Sequence, residues 1–102
     1  MHHQLQRLRQ AQIEVANLPS HFALARGSYV CLIGRTETEP PGFGEMGSVC
    51  RLTDEGLAVL LWEGDSAYFV HKSSRQLASA EDLAGYATFV QDLKTALRVR
   101  LE

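Results

Sequence analysis

Little in this chain announces chemistry: among 102 residues there are two cysteines, two lysines, three prolines and one tryptophan. Two cysteines are too few for the disulfide framework of a small secreted domain. Cys31 and Cys50 both fall inside apolar runs, where a reduced thiol packs as a small hydrophobe, so each is expected to be buried, free and inert. The four histidines stand at positions 2, 3, 21 and 71, with no His-x-x-x-His or Cys-x-x-Cys spacing, so no metal site is read and no cofactor is expected. His2 and His3 read as a polar start. No apolar run approaches membrane length. The first nine residues hold His2, His3, Gln4, Gln6, Arg7 and Arg9 with no apolar stretch of a signal peptide, and a cytoplasmic protein is the expectation.

The familiar catalytic fingerprints are missing as well. There is no nucleophile elbow or phosphate loop. Gly42-Phe43-Gly44-Glu45-Met46-Gly47 imitates the opening of a dinucleotide fingerprint, but it precedes a strand, so the helix N-terminus that would hold phosphates is absent. Charge argues against nucleic acid. Residues 36–65 carry seven acids (Glu37, Glu39, Glu45, Asp54, Glu55, Glu63, Asp65) against Arg51, whereas residues 1–35 carry Arg7, Arg9, Arg26 and Arg35 against Glu14. A phosphate-binding surface needs clustered cations that release counterions, which the acidic middle opposes.

What is present is a set of short apolar runs separated by turn residues, in a chain of the size of one domain with one core and 45% apolar residues. From Gln4 to Asn17 no proline or glycine occurs, and Leu5, Leu8, Ala11, Val15 and Leu18 recur at helical spacing. An amphipathic helix is expected there, within an N-terminal segment 1–19, ended by the effect of Pro19 on Leu18. Ser20–Arg26 reads as a linker. Within 27–77, strands are expected at Ser28–Ile33, Gly47–Leu52, Leu57–Trp62 and Ala67–His71. The turns are Thr53-Asp54-Glu55-Gly56 and Glu63-Gly64-Asp65-Ser66. Glu39–Gly47, with two prolines and three glycines, reads as a loop. Both faces of Leu57–Trp62 are apolar, which predicts a strand buried on both sides, with the terminal helices as its outer cover. Val30, Leu32, Val49, Leu60, Trp62 and Val70 are the expected core. In the C-terminal segment 79–102, Ser79 precedes Glu81 and Asp82 as a helix cap, and Leu83, Ala87, Val90, Leu93, Leu97 and Leu101 form a stripe, with Gly85 marking a break. Leu8, Val15, Val90, Leu93 and Leu97 should pack the helices.

Candidate contact residues follow from this layout. Small barrels often bind through a long loop between their first strands, so Phe43, Glu45 and Met46 in the Pro40–Gly47 loop are candidates, with Phe43 as a barrel plug the plain alternative. Trp62 is an aromatic that serves either core or contact. Tyr68 and His71, together with Glu45, are the polar groups that a pocket between subunits could use.

The Gly27-x-x-Val30 start, the glycine-rich loop, Gly47-x-Val49 and Gly56-x-Ala58-x-Leu60-x-Trp62 resemble the SH3-like small β-barrels of many small bacterial domains. The resemblance implies an α+β fold, with an SH3-like antiparallel barrel flanked by N- and C-terminal helices. Within that superfamily, Leu52–Val59 is similar to a hairpin of the plasmid-borne type II dihydrofolate reductases, which assemble as tetramers around a central pore. Their active strand carries Val-Gln-Ile-Tyr, whereas Ala67-Tyr68-Phe69-Val70 stands here, so the folate- and NADPH-contacting residues are not matched. The expectation is a non-enzymatic protein-interaction or assembly module, binding a protein partner or itself, with monomer and homodimer equally compatible. The alternative is a small-molecule-binding protein or small enzyme with a pocket formed between subunits.

Overall fold

The computed structural model describes residues 2–97, and its elements are α1 (His2–Gln10), β1 (Glu14–Asn17), β2 (His21–Arg26), β3 (Tyr29–Arg35), β4 (Phe43–Thr53), β5 (Gly56–Glu63), β6 (Ser66–His71), β7 (Ser74–Leu77) and α2 (Ala80–Leu97). The fold is α+β. Its strands form one open antiparallel sheet of seven strands in chain order, with α1 before it and α2 after it in the chain.

The first helix is shorter than the apolar spacing predicts. Gln12 adopts φ +62, and its neighbours complete a left-handed helix cap: the Ile13 amide donates to the Leu8 carbonyl at 2.9 Å and the Gln12 amide to the Arg9 carbonyl at 3.0 Å. Ile13 and Leu8, brought together by this turn, are both buried. The chain therefore leaves the helix at Gln10, and Val15 lies on a strand. Residues 20–26, expected as a linker, supply β2, whose Phe22 and Leu24 are buried while His21 is exposed. Pro19 serves the β1–β2 turn, where the Leu18 amide donates to the His21 carbonyl at 2.9 Å.

The turns of the later hairpins stand where the sequence places them, with Thr53 opposite Gly56 and Glu63 opposite Ser66. Gly56, at φ +131, is required for a second reason: a Cβ there would lie 2.7 Å from the His71 ring. The glycine-rich loop is shorter than expected. It closes where the Gly42 amide donates to Thr36 Oγ1 at 2.7 Å, and Phe43–Gly47 already belongs to β4. Register shifts interrupt the β3–β4 ladder on both sides of Ile33.

The second helix opens with reciprocal capping, the Asp82 amide donating to Ser79 Oγ and the Ser79 amide to Asp82 Oδ2, both at 3.0 Å. It runs unbroken through Gly85, because the missing side chain admits Tyr29: a Cβ there would sit 3.2 Å from the Tyr29 oxygen. Tyr29 Oη in turn donates to the Asp82 carbonyl at 2.9 Å. Phe89, Leu93, Ala96 and Leu97 are the buried stripe of α2. Leu101 lies outside the described residues, and Ala87 is exposed.

The two helices meet where Arg7 Nε donates to the Ala96 carbonyl at 2.6 Å and the Gln4 amide nitrogen to the Leu97 carbonyl at 3.2 Å. These donors bind carbonyls at the C-terminal end of the described part of α2, where the helix dipole favours positive groups. Arg26 ties the assembly to the sheet through Asp92 (2.8 Å) and the Ala11 carbonyl (2.9 Å).

Strand register assigns the faces. Phe22 faces Ile33, Leu24 faces Cys31, and Cys31 faces Val49; all five side chains are buried, and Leu24, Cys31, Ile33 and Val49 share one cluster with the helices. On β3 the core therefore takes Cys31 and Ile33 instead of the expected Val30 and Leu32. Of the expected core, Val49 alone is fully buried, Leu60 and Val70 are half-buried and Trp62 is exposed. Both parities of β3 and β5 are apolar, so alternation in sequence could not say which one the helices cover.

Candidate interaction surface

The residues singled out in sequence stand in separate places. Phe43, at the start of β4, sets its ring edge-to-face on Phe22 at 4.9 Å, while the Arg35 guanidinium covers Phe22 at 4.6 Å. Phe43 and Met46 are half-buried against the main apolar cluster, and Glu45 is exposed. His71 closes β6, with Nδ1 2.8 Å from the Leu57 carbonyl. It borders a small cavity of about 150 Å³ with Asp54, Glu55 and Ser74, and neither Tyr68 nor Glu45 lines it. Within a single chain, then, this cavity gathers His71 alone of the three polar groups named for a pocket between subunits.

Tyr68 belongs elsewhere, on the sheet face turned away from the helices. Register places Leu52 opposite Leu57, Leu61 opposite Tyr68, Tyr68 opposite Leu77, and Val59 opposite Val70. Leu52 is 53% exposed, Leu61 49% and Leu77 60%, so three of these leucines stand largely in water. Arg75 spans the polar margin of this face: its guanidinium lies 4.3 Å from the Tyr68 ring centroid and 2.7 Å from a Glu63 carboxylate oxygen. Cation–π contact and ion pair thus use the same side chain. Around the exposed pair Arg75 and Glu63 the charges cancel, leaving a neutral, mainly aliphatic surface.

Trp62 occupies the opposite face, one residue before the β5–β6 turn and across from Ala67. It is 60% exposed and belongs to neither buried cluster. Sequence reasoning named Trp62 and Tyr68 but passed over Leu52, Leu61 and Leu77. The signal was present in the two-sided apolarity of β5, read as two-sided burial; the structure covers one side.

A further polar set joins the start of α2 to the sheet. Arg51 stands 3.2 Å from Asp82 and 5.0 Å from the Phe69 ring centroid, linking the α2 cap to the sheet. The Ser79 amide and hydroxyl, followed by Arg51, hold the Asp82 carboxyl below its ordinary pKa. Burial pushes the Cys31 thiol up to about 11, so it stays protonated at neutral pH. Both cysteines are free, Cys31 buried and Cys50 half-buried. Among the described residues no group of three or more His, Cys, Asp or Glu side chains could hold a metal ion, and no helix is long and apolar enough to cross a membrane. No family model, curated protein or solved structure matches the chain.

Proposed function

We propose that this chain is a non-enzymatic, cytoplasmic protein-interaction or assembly module, framed by a meander of the SH3-like class, whose contact surface is the sheet face opposite the helices. The observation that carries this reading is the row Leu61, Tyr68 and Leu77 across β5, β6 and β7, whose two leucines are 49% and 60% exposed, with Leu52 (53%) further along the same face beside Leu57. Scattered surface leucines are ordinary, but a contiguous set framed by a paired Glu63 and Arg75 has the character of an association surface, an apolar centre with a polar rim. Val59 and the half-buried Val70, paired with each other, extend it toward Leu52 and Leu57. A formal charge of -2 and the acidic middle of the chain favour protein over nucleic acid as partner. The small-molecule reading needs a pocket between subunits, because within one chain the cavity beside His71 includes neither Glu45 nor Tyr68.

The test is affinity capture from host extract with the wild-type chain and with Leu61→Glu/Leu77→Glu, both checked by circular dichroism for an unchanged fold. Retained proteins, or additional copies of the chain itself, should be lost with the double variant. Identical captured sets from both would refute this face as the contact surface.

A further inference from the structure

We infer that the free edge of β1, together with the open cavity beside α1, takes up an extended peptide segment of another protein as an added strand. The segment it fits carries an apolar, a basic and an acidic residue in succession. This goes beyond the association surface described above, because it lies at the edge of the sheet and does not use the Leu61 face.

The backbone supplies the first part of the site. The Leu18 amide donates to the His21 carbonyl across the β1–β2 turn, and bonded pairs alternate along an antiparallel ladder. Ala16 with Ala23, and Glu14 with Ala25, are therefore the pairs that bond β1 to β2. Val15 and Asn17 turn their amides and carbonyls the other way. β1 is the first strand in the sheet order, so among the described residues nothing bonds these groups. Side chains leave the edge open as well, since all four residues of β1 are exposed and Glu14 is the one charge among them.

The cavity supplies the second part. Leu5, Ile13, Val15 and Phe22 line an open space of about 730 Å³ along this edge, with Ile13 and Phe22 buried at its base. The sheet's other edge, β7, offers less: the cavity that Ser74 and Gln76 border holds about 150 Å³, and Arg75 there is already drawn across Tyr68 to Glu63. A free strand edge over an apolar cavity selects an extended peptide. Its main chain bonds to Val15 and Asn17, and alternate side chains enter the cavity.

Charge sets the order of residues. In antiparallel alignment, the arrangement of every pair in this sheet, the peptide residue opposite Val15 points to the cavity side and is apolar. The next lies opposite Glu14 on the other face, in the close, non-bonded type of pair, where a basic side chain meets the carboxylate directly. The one after returns to the cavity side toward the end of α1, where the exposed Arg9 takes an acid. One cation and one acid in the lining thus read two successive peptide charges of opposite sign.

The experiment titrates the full chain into a fluorescein-labelled peptide, Ser-Val-Thr-Ile-Lys-Asp-Ser, and follows fluorescence polarisation. In the bound alignment the isoleucine amide faces β1 and the lysine amide faces away. A copy N-methylated at the isoleucine should bind at least about tenfold more weakly, and a copy N-methylated at the lysine should bind as the parent does. In the protein, Val15→Pro removes an amide that the β1–β2 ladder does not use, so binding should be lost with the circular dichroism spectrum and unfolding midpoint unchanged. Glu14→Lys should weaken the parent peptide about threefold or more and strengthen the version with glutamate in place of lysine. Hydrogen exchange of the Val15 and Asn17 amides should slow on binding. No polarisation change up to about 1 mM chain overturns the inference. Equal loss from the two N-methylated copies, or binding that survives Val15→Pro, overturns it as well.

Discussion

Around β2–β4 the buried side chains are Phe22, Leu24, Cys31, Ile33 and Val49, backed by Leu8 from α1 and Phe89, Leu93 and Leu97 from α2; around β5–β7 they are Ala58, Ala67, Phe69 and Ala78. The first region fills its interior with side chains from five elements, three strands and both helices. The second has one large buried residue among alanines, with half-buried Leu60, Leu83 and Tyr86 packed against them. The difference teaches that apolar content in a strand measures what can be buried, whereas stability comes from what is covered.

The largest effect should come from the heart of the covered region. Phe89 is fully buried, 6.0 Å from the Tyr29 ring centroid and 5.6 Å from the Arg26 guanidinium, so Phe89→Ala should cost about 3–5 kcal/mol in denaturant titration. A loss below about 1 kcal/mol would show that α2 does not anchor the sheet as described.

An intermediate effect is expected at the link between the regions. Ser79→Ala removes the cap that starts α2 and should cost about 1 kcal/mol. Asp82 adds a pH dependence whose sign follows from its lowered folded pKa. Its contribution is fully present above the unfolded carboxyl value of about 3.9 and is lost as pH falls through the lower folded value. The stability gap between wild type and Asp82→Asn, measured by thermal unfolding, should therefore narrow as the pH drops below about 4. A gap that stays constant down to pH 2 would remove Asp82 from this role.

The smallest effect should fall on the uncovered face. Leu61→Ser truncates a side chain already half in water and should change monomer stability by no more than about 0.5 kcal/mol. A loss of several kcal/mol would mean that the two regions are covered alike.

Legibility in the sequence followed the range of the interactions. The Thr53–Gly56 and Glu63–Ser66 turns and the Ser79 cap were readable because each is decided by three or four adjacent residues. The end of α1 was not, since a glutamine occupies the left-handed position where glycine would have signalled a stop. β2 was hidden for a related reason: alanines at 23 and 25 blur the alternation of Phe22 and Leu24, and Pro19 looked like the edge of a linker. Gly85 looked like a helix break because its reason, the Tyr29 ring lying against it, is supplied by a residue 56 positions away. Of the candidate site, Trp62 and Tyr68 were visible as residues, but their exposure and the leucines beside Tyr68 were not.

By itself, the sequence determined the chemistry that is scarce, the positions of the later turns and the presence of a capped C-terminal helix, because composition and local backbone preference do not depend on distant partners. The tertiary structure decided which face of the sheet is covered. Val30 and Cys31, or Leu60 and Leu61, are equally apolar choices along their strands, and only the docking of Leu8, Phe89 and Leu93 onto one side breaks the tie. That same choice leaves Leu61 and Leu77 in water on the other side.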